Sequence, residues 1–220
     1  MPDTTNRLKD MKNKSWFDTR SRDPYYRRAK KEGYRSRAAY KLEQLDSKYR
    51  ILKRGSSVID LGAAPGGWLQ YASRKVGAKG TVLGVDKKEI EPLPASNVAT
   101  LRADITDPST IEKIRKQVDQ ADVLLVDLSP NVSGVWEVDV ARQVELNLSA
   151  LGVAERVLRK GGKMALKIFE GKDSWRIKTA LESSFSRVNL FKPPASRKKS
   201  SEIYAICEGF GVISVSANSS

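Results

Sequence analysis

At 220 residues the chain is long enough for one domain with a substantial core, and its 40 lysines and arginines against 26 acidic residues leave a formal charge of +14, which favours a polyanionic partner. A single cysteine, Cys207, excludes an internal disulfide and a cysteine-based metal cluster. The complete lack of histidine excludes histidine bases, Ser-His-Asp triads and histidine metal ligands, so proton chemistry must rest on lysine or carboxylate. No run of 18 apolar residues offers a membrane span, and the polar N-terminus has no apolar signal segment, so an intracellular, cytoplasmic protein is expected.

Residues 1–24 are polar, mixed in charge and without sustained periodicity, and read as a flexible segment in which Trp16 and Phe17 are the exceptions. Residues 25–210 read as a single domain and 211–220 as a flexible tail. The domain opens on a basic stretch with interleaved aromatics. In it Arg27, Arg28, Lys30, Lys31, Arg35 and Arg37 are candidates for phosphate contacts, and Tyr26 and Tyr34 for stacking on a base. Residues 1–54 hold 17 basic against 7 acidic side chains, so most of the excess charge lies in the first quarter. A solvated basic helix would give the same local pattern. Ser36 reads as the N-cap of a helix to Tyr49, with Ala38, Leu42, Leu45 and Tyr49 on one face. Lys41 lies beside that stripe and by itself reads as a surface lysine.

A first strand, Ser57–Leu61, carries Asp60 and runs into Gly62-Ala63-Ala64-Pro65-Gly66-Gly67-Trp68 before a helix to Val76. A small-residue loop between strand and helix lets a ligand approach the backbone, and in open α/β sheets ligands bind beyond the carboxyl ends of the strands. The loop lacks the G-x-G-x-x-G spacing of a dinucleotide site and the Gly-Lys-Ser/Thr ending of a P-loop, so neither phosphate cradle is well supported, and a nucleoside-type ligand without phosphates remains open. The second strand, Thr81–Asp86, ends in an acid placed to accept from ribose hydroxyls or to cap a turn. After a third strand, Val98–Arg102, Asp104 faces an adenine amino group or caps a turn, with Ile105 beside it. Asp107-Pro108 opens a helix to about Val118. The continuous apolar run of the fourth strand, Asp122–Asp127, marks burial on both faces, and its terminal Asp127 points to the ligand crevice. Residues 132–138 read as a loop and 139–159 as a long helix ended by Gly161-Gly162. A fifth strand, Lys163–Phe169, contains Lys167, which is costly to bury without a partner. A short helix over 174–183 and a sixth strand over 186–191 precede a basic loop with Lys192, Arg197, Lys198 and Lys199. A last strand opens at Glu202 and runs to Cys207, a buried structural thiol.

Five segments together, Tyr34–Leu42, Asp60–Trp68, Asp127–Asn131, Lys167–Phe169 and Ser200–Tyr204, make the chain resemble the FtsJ/RrmJ family of S-adenosylmethionine-dependent RNA ribose 2′-O-methyltransferases. The resemblance spans about residues 25–208. It implies a Rossmann-like α/β fold with helices on both faces of a seven-stranded sheet of order 3-2-1-4-5-7-6, strand 7 antiparallel. It implies that Gly62, Ala63, Ala64, Pro65, Gly66, Gly67, Trp68 and Asp127 line the methionine end of S-adenosylmethionine, beside Asp60, with Asp86 at the ribose and Asp104 and Ile105 at the adenine. The family's Lys-Asp-Lys-Glu tetrad falls on Lys41, Asp127, Lys167 and Glu202, and Leu128-Ser129 stands where other members often carry Met-Ala. Lys167 is the candidate base, no metal is required, and the protein is expected to act as a monomer. The expected substrate is a uridine in the A-loop of large-subunit ribosomal RNA, within the ribosomal subunit or free. A tRNA anticodon-loop methyltransferase and a non-catalytic RNA-binding or ribosome-assembly protein are the alternatives.

Overall fold

A computed structural model describes residues 23–197 and 199–212; Trp16, Phe17, Lys198 and residues 213–220 lie outside the described residues. The elements in chain order are α1 (Pro24–Lys31), α2 (Ala39–Tyr49), β1 (Ser57–Leu61), α3 (Gly67–Val76), β2 (Thr81–Asp86), β3 (Val98–Arg102) and α4 (Ser109–Arg115). They continue with β4 (Ala121–Val126), α5 (Trp136–Val157), β5 (Leu158–Phe169), α6 (Ser174–Ser184), β6 (Phe185–Phe191) and β7 (Glu202–Phe210). The seven strands form one sheet in the order β3-β2-β1-β4-β5-β7-β6. β7 is antiparallel to both neighbours, while β1 to β5 run parallel. Among the described residues no helix is long and apolar enough to cross a membrane.

Alternation along the strands divides the core into two layers. Ile59, Leu61, Leu124, Val126, Met164, Leu166, Ile203 and Ala205 meet Ile114 of α4, Val144 and Leu151 of α5, and Ile177 and Leu181 of α6. Val58, Val123, Leu125, Ala165, Tyr204 and Ile206 face Leu42 and Leu45 of α2 and Leu69 and Ala72 of α3. A third, small cluster joins Ala29 of α1 to Tyr40 and Ala195 and seats the N-terminal segment on the body.

Several boundaries differ from the sequence reading, each for a local reason. The basic stretch begins with a true helix. Asp23 accepts hydrogen bonds from the amides of Tyr25 and Tyr26, and Pro24 occupies the first turn, where its missing N–H costs nothing. Ser36 is not the N-cap of α2. The helix begins at Ala39 after a turn, and the Ser36 hydroxyl packs against Gly67, where any Cβ would collide with it. α5 starts at Trp136 rather than 139 and ends at Val157. The chain passes at once into β5, whose Leu158 already pairs with Ala121, so Gly161-Gly162 lies within the strand. α4 stops at Arg115, and β7 extends beyond Cys207 to Phe210.

Candidate active site

The carboxyl ends of β1, β2 and β4 and the start of β7 converge on one region. Gly62 follows β1 with φ +82°, and its amide donates to Val85 O at 2.9 Å. A Cβ there would come within 3.0 Å of the Leu128 backbone, so glycine is what lets the loop lie against the Asp127–Leu128 peptide. Asp127 follows β4 directly, and its amide donates to Leu61 O at 3.0 Å. Beside them lies a cavity of about 410 Å³ whose walls include Gly62, Ala64, Asp86, Asp104, Ile105, Asp127 and Lys167.

The acids at this cavity have distinct surroundings. One Asp86 oxygen accepts from Ala64 N at 3.0 Å and the other from Lys88 N at 2.8 Å. Asp86 thus fixes the glycine loop as well as facing the cavity. Asp104 accepts from the amide and hydroxyl of Thr106, bonds that hold its carboxyl below the usual range. Asp60 is fully buried and neither of its oxygens has a hydrogen-bond partner. Burial, then the negative charges of Asp127 and Asp86, push its carboxyl well above the ordinary value.

Lys41, Asp127, Lys167 and Glu202 come together from four elements. Lys167 lies on β5 and Glu202 opens β7. In the antiparallel register Lys167 faces Tyr204, and Phe169 faces Glu202. Lys167 Nζ donates to Ser129 Oγ at 2.5 Å, Asp127 Oδ1 at 3.1 Å and Asp127 O at 3.3 Å. Lys41 Nζ, reaching from α2, donates to Glu202 Oε1 at 2.6 Å, which also accepts from Ser196 Oγ at 3.0 Å. The two pairs meet through Tyr204, a residue the sequence reading did not place in the site. Its hydroxyl lies 3.0 Å from Asp127 Oδ1, 3.4 Å from Lys41 Nζ and 3.5 Å from Glu202 Oε1. Burial, and then the carboxylates of Asp127 and Glu202, raise its phenol well above the usual value, so it stays a neutral hydroxyl. The signal was period two: Tyr204 is two residues past Glu202 on one strand face. A second missed support is the buried pair Gln143 and Asn147 of α5. Asn147 Nδ2 donates to Lys167 O at 2.9 Å, and Gln143 Nε2 donates to Asn147 Oδ1 at 3.0 Å. These bonds anchor the backbone that carries Lys167.

The remaining predicted residues divide by position. Ala63 is buried, and Gly66 and Gly67 abut Arg35 and Ser36. Trp68 is buried against Tyr204 and donates from Nε1 to Ala38 O at 2.7 Å. Gly66, Gly67 and Trp68 thus hold the N-terminal segment to the loop. Arg35 completes that strap, donating to the carbonyls of Pro65, Glu91 and Pro92. Arg37 pairs with Asp23 and donates to Ala195 O. Arg28 pairs with Glu32 and Glu43 and lies over the Tyr40 ring. Tyr34 packs edge-on against Tyr40, with Arg74 over its ring. Tyr26 is half-buried. Arg27, Lys30 and Lys31 project from α1 into solvent, as do Arg197 and Lys199 from the loop before β7, whereas Lys192 Nζ donates to Ser200 O at 2.5 Å. A second cavity, about 320 Å³, opens on the far side of the tetrad, lined by Ser36, Arg37, Lys41, Arg197, Ser200 and Glu202.

The sequence pattern of the FtsJ-like methyltransferases matches residues 34–210. A Methanothrix thermoacetophila protein named ribosomal RNA large subunit methyltransferase E is 49% identical over 186 residues, covering 84% of this chain and 71% of its own. The protein of the same name from Methanothermobacter thermautotrophicus is 44% identical, covering 90% of this chain and 94% of its own. A crystal structure described as a ribosomal RNA methyltransferase of Plasmodium falciparum superposes with TM-score 0.72 at 32% identity, over 80% of this chain and 98% of the other. Aeropyrum pernix fibrillarin, solved with S-adenosylmethionine, shares the fold at TM-score 0.56 and 20% identity, over 79% of this chain and 75% of the other. The sheet order agrees with these matches, and the chain belongs to the FtsJ-like methyltransferase family, with S-adenosylmethionine as its methyl donor.

Proposed function

We propose that this methyltransferase acts on a ribose 2′-hydroxyl of large-subunit ribosomal RNA, at a uridine of the A-loop, as a monomer. The observation that carries this reading is one continuous polar network, Lys41–Glu202–Tyr204–Asp127–Lys167, between two cavities of different character. The names carried by relatives at 40% identity and above support a ribosomal RNA substrate. The A-loop uridine rests on the family resemblance.

The residues present suit the donor. Its sulfonium and ammonium groups are cationic, and the 410 Å³ cavity carries Asp86, Asp104 and Asp127 on its wall. The orphaned carboxyl of Asp60 lies close enough to feel the charges of Asp86 and Asp127. Bound there, S-adenosylmethionine supplies a methyl group already activated toward an oxygen nucleophile. Asp127 and Lys167 belong to the wall of that cavity, and Lys41 and Glu202 to the wall of the second. A ribose hydroxyl seated between them lies within reach of both lysines. Lys41, held by Glu202, stabilises negative charge as it develops on the attacking oxygen. Lys167 takes the hydroxyl proton. Its ammonium donates to three oxygens in the resting arrangement and cannot itself accept a proton, so this role requires that it first release one proton to solvent; the neutral amine then takes the hydroxyl proton and returns to the ammonium. Holding the reacting atoms in line supplies much of the rate.

The test is methyl transfer from labelled S-adenosylmethionine to unmodified large ribosomal subunits, free large-subunit RNA and a tRNA pool, followed by nucleotide mapping. A 2′-O-methyl at an A-loop uridine is the expected result. Product confined to tRNA, or no product from any of the three, overturns the assignment. Lys167→Ala should lower transfer by about 10²- to 10⁴-fold while leaving RNA affinity within a few-fold, which separates an enzyme from an RNA-binding protein of the same fold.

A further inference from the structure

The loop after β4 exposes apolar side chains beside the active site. Val132 is 74% exposed, Val135 53% and Trp136 42%. These side chains are not held out by a slack loop. The buried carboxylate of Asp139 accepts from Ser133 N at 2.7 Å and from Ser133 Oγ at 2.8 Å, and Ser133 Oγ in turn accepts from Val135 N at 3.2 Å. Arg142 donates to Asn131 O at 3.2 Å and ties the other end of the loop to α5. Trp136 is the first residue of that helix. An indole fixed on a helix terminus with a large part of its surface in water is a preorganised surface, because its position has been set before anything binds.

Its neighbour indicates what it receives. The Trp136 ring stacks on Phe169, with centroids 5.5 Å apart and planes within 29°. Phe169 is two residues beyond Lys167 on β5 and faces Glu202 across the ladder, and its ring centroid lies 5.8 Å from Lys167 Nζ. The two-ring stack therefore extends the floor of the site from the reacting lysine to solvent. Asn131, in the same loop, lines the 410 Å³ cavity, so this aromatic shelf stands at the edge of the site. The base of a nucleotide is joined directly to its ribose. With Phe169 5.8 Å from Lys167 Nζ and Trp136 5.5 Å beyond it, the shelf lies within reach of the base of a nucleotide whose 2′-hydroxyl sits at Lys167, or of an adjoining base. Bases have a flat π-face that stacks on exposed indoles irrespective of sequence.

We infer that Trp136, stacked on Phe169, is the platform on which a nucleobase of the RNA substrate stacks at, or next to, the ribose that is methylated. This rests on the RNA assignment above, and the experiment separates the two. Full-length wild-type protein, Trp136→Ala and Trp136→Tyr are compared for methyl transfer to unmodified large-subunit RNA and for binding of an oligouridylate and of the matching abasic ribose-phosphate oligomer. Removal of the platform should raise KM and weaken oligouridylate binding by about 5- to 100-fold, with kcat changed much less, while binding of the abasic oligomer is unmoved. Trp136→Tyr, which keeps a stacking face, should recover most of the loss. Unchanged KM and oligouridylate affinity in Trp136→Ala, with wild-type transfer intact, overturn the platform and leave the RNA assignment standing. Equal weakening toward the abasic oligomer also overturns it. So does a Trp136→Ala change confined to sedimentation of the protein, which would make the patch a contact between copies. If the wild type transfers no methyl to RNA, the RNA assignment fails, and the oligouridylate and abasic comparison still decides whether Trp136 stacks on bases.

Discussion

Tyr204 is the residue through which the site becomes one object. Lys41–Glu202 and Lys167–Asp127 are two ion pairs on different elements, and the phenol lies within hydrogen-bonding reach of both. Tyr204→Phe keeps the ring and its contact with Trp68 but leaves the buried oxygens it served with one partner fewer. A loss of about 1–3 kcal/mol in denaturant unfolding is expected. A fall in kcat of about tenfold at most is expected alongside, well short of that for Lys167→Ala. Asp60 makes the opposite kind of prediction. Its folded pKa is raised, so between its ordinary value and that raised value the folded chain holds the proton more tightly than the unfolded chain. Its contribution is therefore fully present below the ordinary carboxylate range and is lost as pH climbs toward the folded value. Asp60→Asn removes that pH dependence. The ligand-free variant should unfold at higher denaturant than wild type at pH 8, and the difference should shrink toward pH 4. If Asp60 also faces the donor's cationic groups, the same variant shows a smaller thermal shift with S-adenosylmethionine.

At the scale of elements, the turn from β1 to α3 and the start of α1 do different work with residues that look alike in sequence. Gly62 is required where it stands, because φ is +82° and a side chain would press on the Leu128 backbone. Gly62→Ala should cost at least about 1–2 kcal/mol of stability from the left-handed backbone alone. It should also weaken donor binding, because the Asp127–Leu128 peptide must move. Calorimetric titration with S-adenosylmethionine and thermal unfolding check both parts. The arginines divide in the same way. Arg35 and Arg37 are held by backbone carbonyls and Asp23, whereas Arg27, Lys30 and Lys31 project into solvent from the exposed side of α1. Arg35→Ala should lower the melting temperature with little effect on how RNA affinity depends on salt.

Among the described residues of the whole molecule, exposed basic side chains gather on α1, at Arg27, Lys30 and Lys31, and on the loop before β7, where Arg197 lines the second cavity. Replacing Arg27, Lys30 and Lys31 together by alanine should leave stability nearly unchanged. It should reduce the slope of log affinity against log salt by about 2, since each single-stranded phosphate contact contributes about 0.7. An unchanged slope in filter binding at several salt concentrations would move the RNA path away from α1.

The residues themselves determined the strands, the two-sided burial of the sheet and the glycine loop, because apolar runs and their alternation depend on local spacing; the four tetrad members came from the family resemblance, since Lys41 by itself reads as a surface lysine. The basic stretch was legible as charge, but its division into structural and exposed arginines was not. Whether a guanidinium meets a carbonyl or water depends on chain segments far away, such as Glu91 and Ala195. Trp68 read as part of the ligand loop, and only the tertiary structure sets its buried ring beside Tyr204. Only the fold decided that residues 161 positions apart, Lys41 and Glu202, meet at 2.6 Å. Only the antiparallel register of β7 set Tyr204 opposite Lys167. Periodicity says which way a side chain points from its own strand; the partner it meets is set by strand order and register, which no single segment encodes.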